Sequence, residues 1–279
     1  MSYIRSLASI VWLGIYHDVA WTSPFVGLAL RIVAPVASAI TTSIIYWLGA
    51  STAQVFDPTR LAYVLVGATL YTHIATYTYA PTVAIAEGKN LSVFPHIYIT
   101  PRSSSPYLAG RTLASFLISF TTSMIALVIA TYVLSSLFHE DIPLIVTPLS
   151  VLQLALALFL NVPASLGLGY ILGSYSLFAS KFEWALPSYV AGTLMVFSGA
   201  LFPPSILPWP LSAFGNALPY TQFISAARYA IIYGSLSSYL LALAYSLFGG
   251  SLVLIFGMLL YSSTEKKARR DGVIDRRLA

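Results

Sequence analysis

Few residues in this chain have the type and spacing that chemistry requires. There is no cysteine, which removes disulfides, thiol nucleophiles and thiolate metal sites. His139-Glu140-Asp141 is the densest cluster of metal-ligating types, but adjacent residues rarely reach one ion with good geometry, and loop tips are normally polar. Gly88-Lys89 is followed by Asn90, and Val83 stands where the first glycine of a phosphate loop belongs, so the G-x-x-x-x-G-K-[ST] cradle is missing. No H-E-x-x-H occurs. His73 is the one side chain of near-neutral reference pKa inside an apolar tract, and such a residue more often packs than binds a ligand. The chain therefore reads as a non-enzyme, with no catalytic residue, no metal site and no cofactor of its own.

The elements that carry these residues follow from where charge is absent. The 279 residues are 58% hydrophobic and 8% charged, with a mean hydropathy of +0.81. A soluble domain of this length carries about a quarter charged residues to cover its surface. Uncharged tracts lie between Arg31 and Asp57, Arg60 and Glu87, Arg111 and Glu140, Asp141 and Lys181, Glu183 and Arg228, and Arg228 and Glu265. Each exceeds the roughly 20 residues that cross a bilayer. The expected fold is an all-α integral membrane protein, one transmembrane domain over 1–279, with six transmembrane helices near 28–48, 61–86, 110–136, 144–173, 186–202 and 239–262.

Lys and Arg set the orientation. With the N-terminus inside, twelve of them flank the inner side and only Arg60 and Arg228 the outer. Both termini are therefore expected in the cytoplasm of a multi-pass cell-membrane protein. The basic tail, 263–279, reads as a juxtamembrane anchor on anionic lipid rather than a nucleic-acid-binding segment. No cleavable signal peptide is evident, because His17 and Asp18 follow the first apolar stretch. Residues 1–22 suit an N-terminal interfacial helix, with Leu7, Val11 and Ile15 at helical spacing and Trp12, Tyr16 and Trp21 fitted to the headgroup zone.

Two segments depart from the simple alternation of spans and short loops. The stretch 87–106 is long and partly apolar for a cytoplasmic connector, which suggests a short docking helix. The stretch 202–238 holds Pro203, Pro204, Pro208, Pro210 and Pro219 yet stays apolar. Irregular apolar backbone must be buried or line a cavity, so two short re-entrant helices are expected near 211–217 and 219–233. In the second span Thr69, Thr72, His73 and Thr76, and in the third Ser115, Ser119 and Thr122, form polar stripes. They line a translocation path or glue helices together. No span interior holds a carboxylate, Lys or Arg, whereas ion-coupled carriers place ionisable groups there. Energy is therefore expected to come from a partner.

Glu87-Gly88-Lys89-Asn90-Leu91, then Ile99-Thr100-Pro101-Arg102-Ser103, then Tyr107-Leu108-Ala109-Gly110-Arg111 resembles the coupling region of ABC type-2 transporter permeases. The stretch Phe197-Ser198-Gly199-Ala200-Leu201-Phe202-Pro203, followed by Leu207-Pro208, Leu211, Asn216, Pro219 and Arg228, is similar to that family's region after the fifth span. Two departures stand out. Gly88 to Pro101 is about four residues longer than the family pattern, and Asn216-Ala217-Leu218-Pro219 replaces an Asn-Pro. The resemblance implies the membrane-spanning half of an ATP-driven exporter working by alternating access. Its partners would be an ABC ATPase subunit carrying ATP and Mg, a second permease chain, identical or homologous, and the lipid bilayer. It implies an ATPase-coupling set of Glu87, Gly88, Leu91, Phe94, Ile97, Thr100, Pro101 and Arg102, and an external gate of Gly199, Phe202, Pro203, Pro208, Asn216 and Pro219. A secondary carrier or a structural membrane protein is the alternative.

Overall fold

The computed structural model describes residues 3–19, 23–90, 96–97, 103–179 and 185–272. The described residues are helical with short connections and form no strand. The helices are α1 (Tyr3–Val19), α2 (Pro24–Thr52), α3 (Pro58–Asn90), α4 (Ser105–Phe138), α5 (Pro148–Leu160), α6 (Val162–Phe178), α7 (Ala185–Phe197), α8 (Leu211–Ala217), α9 (Pro219–Arg228) and α10 (Leu236–Arg270). A π-type turn, Tyr229–Tyr233, joins the last two.

Local chemistry sets several boundaries. Ser23 caps α2 by accepting from the Val26 amide at 3.3 Å, with Pro24 at the first helical position, where its missing N–H costs nothing. Thr147 and Ser150 form a reciprocal capping box at the start of α5. The helix then breaks at Asn161, because Pro163 cannot donate back into the preceding turn.

Four stretches are long and apolar enough to cross a membrane: α2, α4, α5 with α6, and α10. The expected fourth span, 144–173, is thus two helices over 148–160 and 162–178. The fifth is a 13-residue helix ending at Phe197, short of the expected 202, where the chain turns through Gly199 at a φ of +72°. The second, α3, is 33 residues long, but its Thr, Tyr and His content dilutes its apolar character. It also runs on to Asn90, so Glu87 and Gly88 belong to its last turns and not to a loop. Helices stand at 211–217 and 219–228, where two short ones are expected.

The bundle is held by close helix packing. α6 and α10 make the most extensive contact, through Gly167 and Gly257. A Cβ on Gly167 would lie 2.5 Å from the Leu254 amide nitrogen, and one on Gly257 would strike the Gly167 carbonyl oxygen. The main core joins Leu65, Leu70, Tyr77, Phe116, Leu168 and Phe223. A smaller cluster at the far end of α3 joins Ile85, Leu108, Tyr170, Leu177 and Tyr261, and Leu7 of α1 packs on it. α1 lies along the first turns of α4, Ile10 over Gly110 and Gly14 against Ala114. α2 and α10 leave Leu30, Val33, Ile45, Phe248, Phe256 and Leu259 exposed, apolar faces suited to lipid.

Gly167→Val is expected to lower the melting temperature of the detergent-purified protein by several degrees, because overpacking typically costs about 1–3 kcal/mol. Gly192→Ala, where a Cβ meets nothing within 4 Å, serves as the control and should leave it unchanged.

Candidate functional site

The chain between α3 and α4 is fastened at both ends by buried charges. At the end of α3, Lys89 is buried, and its ammonium donates to the carbonyls of Ser176 (2.8 Å), Leu177 (3.3 Å) and Ala179 (3.2 Å). These are carbonyls at the C-terminus of α6, which lack helical partners and carry the negative end of the helix dipole. An ammonium with three donors is suited to that position. At the start of α4 the capping residue Ser104 makes no side-chain cap of its own. Glu265 of α10 supplies it instead. Its buried carboxylate accepts from the Ser104 amide (2.8 Å), the Ser104 hydroxyl (3.0 Å) and the Ser103 hydroxyl (2.7 Å), and pairs with Arg269 at 2.9 Å. Tyr261 and Tyr170 add hydroxyl contacts of 2.7 Å to Ser104 and Ser105. One end of the 91–102 stretch is thus tied to α6 and the other to α10.

One turn further in, Arg111 of α4 contacts Glu87 of α3 at 3.2 Å and Asp18 of α1 at 3.5 Å. Glu87 is therefore engaged by its own chain, and Gly88 is buried within α3. Ile97 packs partly buried on the Ile85–Leu108 cluster. Leu91, Phe94, Thr100, Pro101 and Arg102 lie outside the described residues.

Of the polar stripes, most members face inward and are bonded within the bundle. The hydroxyls of Thr69, Thr72 and Thr76 donate to the carbonyls of Leu65, Thr69 and Thr72 on their own helix, and Thr122 donates to that of Ser119. His73 is fully buried, its Nδ1 2.7 Å from the Ser119 hydroxyl. The Ser119 hydroxyl also lies 2.9 Å from the Phe116 carbonyl. Phe116 and Tyr77 meet the imidazole edge-on at 4.9 and 5.3 Å. Asn161, at the α5–α6 break, donates to the Tyr77 hydroxyl at 3.0 Å. Thr76 and Ser115 differ from the rest: both border an open cleft with Glu87, Arg111 and Asp18.

At the opposite end of the bundle, Arg228 is the organising residue, and counting it as an outer-flank charge misses this. It is buried. Its guanidinium donates to the carbonyls of Tyr63 (2.9 and 3.2 Å), Gly199 (2.7 Å) and Ala200 (2.8 Å), and lies 3.3 Å over the Tyr63 ring. Gly67 makes room for it, since a Cβ there would collide with both the Ala200 carbonyl and the guanidinium. Pro203 and Asn216 border a cleft of about 450 Å³ beside this knot. Pro219 is buried against Gly249, Phe202 is half-buried, and Pro208 is exposed. The sequence signal available was an arginine alone in a long apolar tract; for Lys89 and Glu265, next to span ends, none stood out.

Among the described residues no group of three His, Asp or Glu is placed to hold a metal ion. The sequence model of the family described as ABC-2 type transporter matches residues 16–232. That range includes the Arg111 ion pairs, Lys89 and the Arg228 knot, and stops before α10. No curated protein matches the chain.

Arg228→Met and Arg228→Lys are both expected to lower the melting temperature by several degrees, since a single ammonium cannot reproduce a planar fork serving three carbonyls. Removing a buried hydrogen-bonded charge typically costs about 3–5 kcal/mol. Arg60→Met, which removes an exposed i,i+3 pair with Asp57, should change it by about a degree at most. Wild-type stability in Arg228→Lys would show that charge alone suffices.

Proposed function

The chain belongs to the ABC-2 type transporter family, and from that premise we propose that it is the permease of an ATP-driven exporter, assembled with a separate ATPase and a second permease chain. Its plain identity is the transmembrane component of an ABC type-2 transporter. In this reading six segments span the membrane, α3 and α7 completing the four apolar spans, and both termini face the cytoplasm. The ATPase docks on the 91–102 stretch, with Phe94 presented to its groove and Arg102 to its charges. Gly199, Phe202, Pro203, Pro208, Asn216 and Pro219 form the outer gate.

The observation that carries the coupling is the double fastening of that stretch. A push on a connector with slack ends would be absorbed as local bending. Here Lys89 transmits displacement of the α3 end to α6, and Glu265 transmits displacement of the α4 start to α10. α6 and α10 are themselves interlocked at Gly167 and Gly257. The ATP-driven closure of two ATPases would then move these four helices as one packed body, a rigid-body switch between packed states rather than a graded deformation. An ion-coupled mechanism lacks its usual machinery, for no carboxylate lies in the interior of the proposed spans.

Purification of the tagged chain from its native membrane is expected to recover a soluble ATPase in stoichiometric amount. Phe94→Asp should reduce that recovery at least tenfold without changing the melting temperature. Lys89→Met is expected to retain the ATPase but lose transport-linked stimulation of ATP turnover. Recovery of well-folded wild type with no nucleotide-binding partner would favour a secondary carrier or a structural role.

A further inference from the structure

The cleft bordered by Thr76 and Ser115 has a volume of about 410 Å³, at the small end of ligand sites. Its charges form a row of alternating sign. Arg31 Nη2 lies 3.9 Å from Asp18 Oδ1, Asp18 Oδ1 lies 3.5 Å from Arg111 Nη2, and the same Arg111 nitrogen lies 3.2 Å from Glu87 Oε2. The two inner members are buried against each other, with side-chain exposures of 12% for Asp18 and 9% for Arg111. The outer members remain accessible: Arg31 is 44% and Glu87 39% exposed. The cleft therefore presents one accessible cation and one accessible anion, separated by no more than three such contacts laid end to end. His17, half exposed and 3.4 Å from Asp18, also lines the cleft. A purely anionic ligand would meet Glu87, and a purely cationic one Arg31, so a ligand carrying both charges suits the row best.

The depth of the row narrows the ligand further. Arg31, Glu87 and Arg111 are the charges at which the uncharged tracts of α2, α3 and α4 begin or end, which is the level of lipid headgroups. Tyr16 of α1 and Leu30 and Val33 of α2 are exposed apolar side chains. They offer a hydrocarbon tail a surface on the two helices that carry His17 and Arg31. Thr76 and Ser115 bring hydroxyl oxygens to the cleft wall.

We infer that this cleft binds the headgroup of a zwitterionic phospholipid of the phosphoethanolamine type, phosphate toward Arg31 and His17 and ammonium toward Glu87, with its tail along α2. The inference rests on the permease reading above and names a ligand class for the cleft between α1, α2, α3 and α4. Binding is non-covalent and needs no partner chain.

The test is lipid retention by the detergent-purified full chain, measured by native mass spectrometry against phosphatidylethanolamine, phosphatidylglycerol and phosphatidylcholine at equal concentration. Wild type is expected to retain phosphatidylethanolamine at least fivefold over phosphatidylglycerol. Arg31→Gln should abolish retention of both. Glu87→Gln, which keeps an oxygen facing Arg111, should erase the preference while leaving phosphatidylglycerol bound. Equal retention of all three lipids by wild type would overturn the proposal, as would unchanged retention in Arg31→Gln. Displacement of the lipid by an equal concentration of soluble phosphoethanolamine would overturn the assignment to a lipid. The ATPase content of the same preparation is scored separately: lipid selectivity without ATPase would refute the permease reading alone, and ATPase without selectivity the present one.

Discussion

A helix that stops inside a packed bundle leaves its last carbonyls or first amides without partners, and in an apolar interior each orphan costs free energy. This constraint governs the end of the molecule where α3, α4, α6 and α10 meet. The carbonyls at the end of α6 are answered by the Lys89 ammonium. The first turn of α4 is completed by the Glu265 carboxylate from a helix more than a hundred residues later in the chain. Each solution ties two packed helices through a charged group. Apolar contacts allow sliding, whereas a three-point hydrogen-bonded charge fixes register.

The same logic recurs at the other end with a guanidinium in place of the ammonium. There the backbone turns sharply through Gly199 after a helix of only 13 residues, and the carbonyls of Gly199 and Ala200 point inward. Arg228 satisfies them together with that of Tyr63, at a place cleared by the missing side chain of Gly67. One guanidinium thereby joins α3, α9 and the turn after α7. A proline-rich, apolar and irregular segment is stable here because its polar backbone atoms are answered by this residue and by the Thr221 hydroxyl on Gly215.

Between these ends α3 has a composition unlike that of the other long helices. It faces α2, α4 and α6 more than any surface, so it carries Thr69, His73, Thr76 and Thr78 where a lipid-facing helix carries leucine. Their hydroxyls are spent on their own helix, and His73 on Ser119. The polar stripe is thereby a seam between helices over most of its length and opens onto a cleft at Thr76 and Ser115.

The sequence by itself determined the class of molecule. Scarce charge, long uncharged tracts and the bias of Lys and Arg depend only on the transfer cost of ionised groups, which is a property of composition. The motifs around Glu87 and Gly199 pointed to the family that the match over 16–232 bears out. The proline-rich stretch marked where short helices would stand, because proline acts locally. Only the tertiary structure decided what the charges do. Lys89, Arg111 and Glu265 are indistinguishable in sequence from flank residues that solvate a span end, and Arg228 showed only its isolation, yet all four are buried. Their partners are Ser176, Asp18, Gly199 and Ser104. These lie far away along the chain and are mostly backbone atoms, which carry no residue-type signal. Pairing of that kind is set by how helices pack, and no local pattern encodes it.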